Sequence, residues 1–377
     1  MKNNHPALLL ALLSTILCCS SCSRKQESGI AVGQFASLTG AQATFGQSTD
    51  KGVRMALEEI NASGGVLGQP IRLITKDNQS KPGETSTAVR ELITRSRVVA
   101  LIGEVASGRS LEAAPIAQRS GIPMISPAST NEKVTEAGDH IFRVCFIDPF
   151  QGTVCAKFAR KLGGAKAAVI TDVSKDYSLG LAKSFKTEFA KEGGIITGEQ
   201  SYSGGDKDFS AQLTAIKAGN PQVIFLPAYY TEAPLIIRQA RQLGITAPFI
   251  GGDGWDSPEL VGVGGPAVEG CYFSNHFSNQ SNDPRVKAFV DAYRQKYNDD
   301  PDAMVALGYD ALYLLADAMK RAGTTDPAKV NAAIAGTKDF PGVTGKITLD
   351  EHRNPTKPAV MLQVRNGKFA YVETVSP

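Results

Sequence analysis

The chain has 377 residues, of which 42% are hydrophobic and 20% are charged, and its formal net charge is +3. This composition is that of a globular protein, and the length is enough for two domains that each bury a core. The sequence contains no block of like charge and no basic stripe, which argues against a nucleic-acid-binding function.

The first 22 residues have the pattern of an export signal. Lys2 precedes the apolar segment 7–17, which is too short to span a membrane, and small residues follow it as far as Cys22. We therefore predict a signal peptide at 1–21. The ending "CCSSC" resembles a bacterial lipoprotein signal, and this resemblance implies that Cys22 is lipidated and begins a polar tether at 22–28.

Apolar runs then alternate with segments of helical period. The predicted strands of this first half are 30–35, 71–75, 98–103 and 122–126. The predicted helices are "STDKGVRMALEEINASGG", 84–97 and 109–120. Near-continuous apolar strands separated by helices are typical of a parallel sheet covered on both faces. The first half therefore predicts a doubly wound α/β lobe.

The same alternation occurs a second time along the chain. The predicted strands are 167–171, 194–200, 223–227 and 248–252, and the predicted helices are 179–192, 208–218 and 231–243. This half predicts a second doubly wound lobe.

The rest of the chain contains two further helical patterns, 285–297 and 302–322, which we expect to return to the first lobe. From about residue 343 the chain has the pattern of extended strands, with turns at "DEHRNP" and "RNGK". We predict two parallel-sheet lobes around a ligand cleft. The predicted boundaries are 29–147 plus 277–350 for lobe 1 and 148–276 plus 351–377 for lobe 2, with connecting strands near 145–149, 274–279 and 348–353.

Three cysteines follow Cys22, namely Cys145, Cys155 and Cys271. Whether Cys145 and Cys155 form a disulfide stays open, because spacing alone cannot establish a pairing. Beyond Cys22 there is no CxxC motif and no cluster of cysteine with histidine, so we expect no metal site and no cofactor.

In open α/β sheets, ligands bind beyond the carboxyl ends of the strands. In the first half these positions hold Ser107 and the stretch "PAST" at 127–130, whose hydroxyls and helix starts suit an anion. In the second half they hold aromatic residues and one carboxylate, which suit a cation with an apolar body. The second-half residues are Tyr177, Tyr229, Tyr230, Asp253 and Trp255.

Each of these residues also has a structural interpretation. Ser129 with Glu132 fits a capping box, and Ser107 fits a helix cap. The tyrosines fit half-buried packing positions. Asp253 fits a turn, although the following "SPE" at 257–259 already makes a good helix start.

Almost all of the chain after the signal resembles the periplasmic binding proteins for branched-chain amino acids. The stretches that carry the resemblance are "VGQFASLTGAQATFGQSTDKGVRMALEEINASGGVLGQPIRLITKDNQSKP", "GDKDFSAQL" and "LIIRQARQLG". The resemblance implies a type I periplasmic binding fold in which a hinge closes two lobes over an amino acid. The chain departs from the family at a small loop disulfide of the first lobe, which has no cysteines here; Asn78 and Ala106 stand in its region.

The resemblance also implies roles for individual residues. It assigns the ligand α-carboxylate to Ser107 and Thr130, and Ser129, beside Thr130 in "PAST", is also expected to bind the ligand. It assigns the α-ammonium to the carbonyl of Ala128 and the carboxylate of Asp253. The residues implied to close over or line the side-chain pocket are Tyr177, Tyr229, Phe45 and Met304, with Trp255 and Glu232 as nearby candidates.

The resemblance implies a monomeric, lipid-anchored receptor of an ABC importer that binds leucine, isoleucine or valine and delivers it to membrane permease subunits. Two alternatives stay open: a different small carboxylate, to which Arg109 could extend, or a receptor that reports to a membrane sensor. We expect no enzymatic activity, because "EVASGRS" is not a G-x-S-x-G elbow and the sequence contains no phosphate-binding loop.

Overall fold

Residues 29–376, which the computed structural model describes, fold into two α/β lobes. The predicted signal peptide, the tether and Cys22 lie outside the described residues. None of the helices in this described part has the length and apolar character that a membrane crossing requires.

The first lobe is built on a sheet of five parallel strands. In chain order these are β1 (Ile30–Ala36), β2 (Ile71–Asp77), β3 (Ala100–Ile102), β4 (Met124–Ser126) and β5 (Ile141–Arg143). Their order in the sheet is β2-β1-β3-β4-β5, and every neighbouring pair is parallel. All residues of β3, β4 and β5 are buried, as expected when helices cover both faces of a sheet.

The second lobe contains a sheet of seven strands. The remaining strands of the chain are β6 (Lys166–Asp172), β7 (Ile195–Tyr202), β8 (Val223–Phe225), β9 (Phe249–Gly251), β10 (Tyr272–Asn275), β11 (Phe340–Gly342), β12 (Gly345–Ile347), β13 (Ala359–Arg365) and β14 (Lys368–Val375). The order in the second sheet is β14-β13-β10-β9-β8-β6-β7, while β11 and β12 form a separate hairpin. Strands β6 to β10 pair in parallel, and the tail joins β10 as the antiparallel hairpin β13–β14.

Helices connect these strands. In chain order they are α1 (Ala43–Ala62), α2 (Glu84–Thr94), α3 (Ser107–Arg119), α4 (Lys133–Glu136), α5 (Asp148–Lys161), α6 (Asp176–Lys191), α7 (Ser210–Ala218), α8 (Ala233–Gln242), α9 (Pro258–Gly264), α10 (Pro284–Tyr297), α11 (Ala303–Ala322) and α12 (Pro327–Ala335). The architecture predicted from the sequence, two doubly wound parallel-sheet lobes, is therefore confirmed. The strand β5 and the helices α4, α5 and α12 are additional to the predicted elements. Helix α9 begins at the predicted helix start, where the Ser257 hydroxyl accepts a hydrogen bond from the Glu259 amide at 3.2 Å, and β10 overlaps the predicted connection near 274–279.

Helix α11 returns to the first lobe and packs along α1. Two glycines allow the close approach of the two helices. A Cβ atom on Gly52 would lie 1.9 Å from the carbonyl oxygen of Val305, and one on Gly308 would lie 2.5 Å from that of Thr49. This packing agrees with the expectation that the helical pattern 302–322 returns to the first lobe.

The chain passes between the two sheets three times. The connecting segments are 144–147, 276–283 and 348–358, close to the predicted connections. Lys357 on the third segment links it to the first, because its buried ammonium donates a hydrogen bond to the carbonyl oxygen of Val144 at 3.1 Å. The residue boundaries predicted for the two lobes stay a prediction.

Candidate functional site

The loop that leads into α3 is held from inside the first lobe by the buried carboxylate of Glu104. Its Oε1 accepts hydrogen bonds from the backbone amide of Ser37 at 2.7 Å and from the side chain of Asn78 at 3.1 Å. Its Oε2 accepts one from the backbone amide of Ala106 at 2.7 Å. These bonds fix the backbone immediately before Ser107, the first residue of α3.

The predicted capping box of Ser129 and Glu132 is wrong. The Ser129 hydroxyl lies 2.9 Å from the carbonyl oxygen of Glu104 and 3.0 Å from that of Val105, to which it donates. Glu132 precedes α4, which has no side-chain cap. The carbonyl of Ser129 accepts a hydrogen bond from Arg143 Nη1 at 2.5 Å. Because both the hydroxyl and the carbonyl of Ser129 make hydrogen bonds within the first lobe, we remove Ser129 from the proposed ligand contacts.

Ser107 and Thr130 bring two buried hydroxyl groups to the side of the first lobe that faces the second. Ser107 is not the cap of α3, since it lies in the first helical turn and its hydroxyl accepts a hydrogen bond from the Asn131 amide at 3.3 Å. The carbonyl of Thr130 accepts a hydrogen bond from the Asp148 amide at 2.9 Å. Ala128, in the same loop, is also buried.

Two tyrosines of the second lobe lie against this surface. The rings of Tyr177 and Tyr229 stack with their centroids 4.9 Å apart and their planes 8° from parallel. Burial raises the pKa of Tyr229 well above its ordinary value; the charge of Asp253 adds to the rise, and the Ser107 amide opposes it. Both a carboxylate of the second lobe and the first turn of α3 therefore act on Tyr229.

Apolar side chains from the first lobe complete this surface. The ring of Phe45 packs edge-on against Tyr229, with centroids 5.6 Å apart, and against Tyr230 at 4.7 Å. Met304, the second residue of α11, is buried in the same apolar cluster. The structure thus brings the predicted pocket residue Phe45 into contact with Tyr229, and Met304 belongs to the same apolar cluster.

Asp253 opens a short 3₁₀ turn after β9 and is almost completely buried. Gln151 Nε2 donates a hydrogen bond to Asp253 Oδ1 at 2.9 Å, and His276 Nε2 lies 3.0 Å from Asp253 Oδ2. The backbone amide of Gly254, the next residue, donates to the Tyr177 hydroxyl at 3.1 Å. The carboxylate is therefore held in one orientation beside the stacked tyrosines.

A second buried carboxylate, Asp148, was not identified from the sequence. Burial raises its pKa to about 8; the Thr130 hydroxyl opposes this rise, and the negative charge of Asp253 adds to it. Thr130 lies close enough to affect Asp148, yet neither its hydroxyl nor either Asp148 oxygen has a well-formed hydrogen bond within residues 29–376. One side-chain atom of Gln151, Oε1, is also buried without a partner there.

Buried polar groups without partners are costly, and native proteins satisfy nearly all of them. In the region between the lobes, such groups cluster on Thr130, Asp148 and Gln151, beside Asp253. A bound molecule that carries a cation and hydrogen-bonding groups would satisfy them. The signal that could have revealed Asp148 and Gln151 is their position just after β5, at the carboxyl end of a strand.

Three further candidates have other contacts. Trp255 is fully buried in the core of the second lobe, where its ring lies near Phe273 at a centroid distance of 6.3 Å, so we remove it from the ligand contacts. Arg109 is bonded to Glu112 at 2.6 Å and to the carbonyl of Ser80 at 3.0 Å. Glu232 accepts a hydrogen bond from the Gly205 amide at 3.1 Å.

Arg109 and Glu232 line an interlobe cavity of about 520 Å³ at the mouth of the cleft, together with Tyr230 and Lys175. The bonds of Arg109 to neighbours in its own lobe leave it poorly placed for a second ligand carboxylate.

All three cysteines of the described part of the chain are free and buried. The Cys145 thiol donates to the carbonyl of Ser129 at 3.3 Å, and the Cys155 thiol donates to the hydroxyl of Ser274 at 3.3 Å. The structure therefore contains no Cys145–Cys155 disulfide. Among residues 29–376, no group of three or more metal-ligating side chains could hold a metal ion.

Comparison with known proteins identifies relatives along almost the whole chain. The family model described as "Periplasmic binding protein" matches residues 29–368. The chain is 34% identical to a Leu/Ile/Val-binding protein homolog 1 of Brucella suis over 353 residues, which covers 91% of this chain and 93% of the relative.

Two solved structures are similar in both sequence and fold. One is a leucine binding protein, LivK, from Thermotoga maritima, with a TM-score of 0.89 and 41% identity over 92% of this chain and 99% of that chain. The other is the branched-chain amino acid transporter substrate binding protein LivJ from Streptococcus pneumoniae in complex with isoleucine. Its TM-score is 0.87, with 37% identity over 93% of this chain and 100% of that chain.

Proposed function

The chain belongs to the periplasmic binding protein family, and from this premise we propose that it is the extracytoplasmic receptor of an ABC importer for a branched-chain amino acid. The free amino acid binds between the two lobes and is delivered to permease subunits in the membrane. The similarity to a LivJ protein in complex with isoleucine supports the ligand class.

The observation that carries the proposal is the pair of buried carboxylates, Asp148 and Asp253. The charge of Asp253 adds to the cost of ionising the buried Asp148, and a cation close to both carboxylates would offset that cost. The α-ammonium of an amino acid supplies that cation. The stacked rings of Tyr177 and Tyr229 then cover the ammonium and exclude water.

The first lobe supplies the groups that suit the other end of the ligand backbone. Ser107 lies at the start of the 13-residue helix α3, where the helix dipole favours an anion. The unpaired hydroxyl of Thr130 lies in the adjacent loop. With its α-carboxylate between Ser107 and Thr130, the ligand can place its side chain against Phe45 and Met304. Both of these residues are buried and apolar.

The proposal extends to the N-terminus. Family membership supports export, and we propose that lipidation of Cys22 anchors the receptor to a membrane. Growth with a radiolabelled fatty acid would label the wild-type protein but not Cys22→Ser; equal labelling of both would exclude Cys22 as the modified residue.

Isothermal titration calorimetry of the form from Ser23 onward tests the ligand assignment. We expect leucine, isoleucine or valine to bind, and the corresponding 2-oxo acids, which lack the ammonium group, to bind at least about a hundredfold more weakly, since an unpaired buried charge costs about 3–5 kcal/mol. Binding of the oxo acids alone would keep the fold and overturn the ligand class.

Asp253→Asn tests the ammonium site directly, because it removes the charge at almost constant volume. We expect it to weaken amino-acid binding by roughly a hundredfold or more. Asp172→Asn is the matched control. Asp172 is a buried acid of the same lobe whose carboxylate accepts hydrogen bonds from the amides of Ser174 and Gly204. Equal binding by wild type and Asp253→Asn would remove Asp253 from the site.

A further inference from the structure

His276 lies in the second connecting segment between the lobes, directly after β10. Its ring is completely buried, and its Nε2 atom lies 3.0 Å from Asp253 Oδ2. The other carboxylate oxygen accepts a hydrogen bond from Gln151, which lies in the first turn of α5, just beyond the first connecting segment. The two hydrogen-bond partners of Asp253, His276 and Gln151, therefore lie in or next to the segments that connect the lobes.

The ring of His276 also contacts the first connecting segment. It stacks on Phe146 with a centroid distance of 3.7 Å and an angle of 29° between the planes. His276 thus joins two of the three connecting segments through its ring face and joins Asp253 through its ring edge. A movement of either segment would change the position of the Asp253 carboxylate.

The charge state of His276 suits a donor beside an ammonium site. Burial lowers its pKa; the hydrogen bond and the charge of Asp253 oppose this, and the cation of Lys357 adds to it. A neutral imidazole that carries its proton on Nε2 donates to Asp253 and adds no positive charge near the ligand. The Nδ1 atom is then an acceptor, and it has no donor partner within residues 29–376.

We propose that His276 is a positioning residue that holds the Asp253 carboxylate toward the ligand ammonium and links that contact to the segments about which the lobes move. This inference rests on the proposed function, since it requires Asp253 to bind an ammonium group. His276 itself does not touch the ligand in this arrangement; it acts through Asp253.

Two variants separate the hydrogen bond from the stacking. His276→Phe retains a ring that can stack on Phe146 but has no donor, and His276→Gln retains a side-chain N–H that can reach the carboxylate. A hydrogen bond to a charged group contributes enough that its loss weakens binding by roughly ten- to a hundredfold. We expect that loss for leucine binding in His276→Phe and a change of less than about threefold in His276→Gln.

A double-mutant cycle with Asp253→Asn tests whether His276 acts through Asp253. If it does, His276→Phe weakens binding in the wild type but causes little further loss in Asp253→Asn. Equal losses in both backgrounds, or equal losses for His276→Phe and His276→Gln, would overturn the proposal and assign His276 a general packing role. If Asp253→Asn binds leucine as tightly as the wild type, the proposed ammonium site fails instead, and this inference fails with it.

Nitrogen-15 NMR of the histidine rings gives a measurement that does not depend on the folding of a variant. We expect the His276 ring of the wild type to be neutral, with its proton on Nε2, in the ligand-free and the leucine-bound protein. A proton on Nδ1 would overturn the proposal, because Nε2 could then not donate to Asp253.

Discussion

The side-chain amide of Asn131 donates a hydrogen bond to the carbonyl oxygen of Asp176 at 2.8 Å, and this bond joins the two lobes. Asn131 follows "PAST" in the first lobe, and Asp176 begins α6 in the second. The bond lies beside the two residues that adjoin the proposed ligand, because Thr130 precedes Asn131 and Tyr177 follows Asp176. Closure of the lobes and the burial of the ligand site are therefore the same event.

Gly180 allows α6 to approach this contact. A Cβ atom at this position would lie 2.7 Å from both Asn131 Nδ2 and Asp148 Oδ2. We expect Gly180→Ala to displace the side chains of Asn131 and Asp148. Because this displacement removes one or two hydrogen bonds, ligand binding should weaken by about tenfold. The ligand-free protein should not be destabilised, since alanine favours a helix by about 1 kcal/mol over glycine.

Gly262→Ala is the control for this prediction. Gly262 lies in α9, and a Cβ atom there would meet no atom within 4 Å. Calorimetry and thermal unfolding of both variants would check the pair. Unchanged affinity in Gly180→Ala would show that closure does not need the present approach of α6.

Tyr230 makes a second contact between the lobes. Its hydroxyl donates to the carbonyl of Ala41 at 3.0 Å and accepts a hydrogen bond from the Thr44 amide at 3.2 Å. In Tyr230→Phe both backbone groups lose this partner in the closed form, although they can reach water in an open form. We expect about tenfold faster ligand dissociation, measured by stopped-flow fluorescence, with little change in ligand-free stability.

Tyr371→Phe removes a hydroxyl from a tyrosine that is 40% exposed on β14 and is the control. Dissociation rates that are equal in Tyr230→Phe and the control would mean that the Tyr230 contact does not favour the closed form.

The fold could be predicted because its signals are local. Long apolar strands and helical spacing established the alternation of elements in both lobes, and the rule that sites follow strands placed Tyr177, Tyr229 and Asp253 on the surface between the lobes. Asp148 escaped the same rule. The four apolar residues before it, 144–147, belong to the predicted connection near 145–149, so the sequence assigns Asp148 to a connection between the lobes and not to the end of a strand.

The interpretations of Ser129 and Trp255 failed for a different reason, since both depend on contacts distant in sequence. The Ser129 hydroxyl binds backbone carbonyls more than 20 residues away, whereas a capping box is inferred from spacing within one turn. The Trp255 ring occupies the space over Gly251, where a Cβ atom would lie 2.2 Å from it. A position after a strand does not determine which way the side chain turns.

The free cysteines give a direct test of the core. Burial raises the pKa of the Cys145 and Cys155 thiols to about 12 and also raises that of Cys271. Since the thiolate is the reactive form, a thiol reagent at pH 8 should label none of them in the folded protein. After unfolding in denaturant, the form from Ser23 onward should release three thiols; a count of one would indicate a disulfide that the structure does not contain.

In the closed form, where Asp148 is buried, this residue should make the free energy of unfolding of the protein without ligand depend on pH. Its carboxyl has a pKa of about 8 in the folded chain because it is buried, against an ordinary value of 3.8. Between these values the folded protein holds a proton that the unfolded chain has released. The contribution of Asp148 to the free energy of unfolding is therefore complete below about pH 4 and is lost as the pH rises toward 8.

Asp148→Asn removes this dependence, because an amide resembles the protonated carboxyl at every pH. We expect wild type and variant to have similar stability near pH 4, and the variant to become relatively more stable up to pH 8, by as much as about 5 kcal/mol. Urea unfolding at several pH values measures the difference. Asp291→Asn, an exposed acid on α10, is the control for removing one negative charge. A difference between Asp148→Asn and wild type that is the same at pH 4 and pH 8 would mean that Asp148 is ionised in the folded protein. In that case the ligand ammonium would not be needed to stabilise its charge.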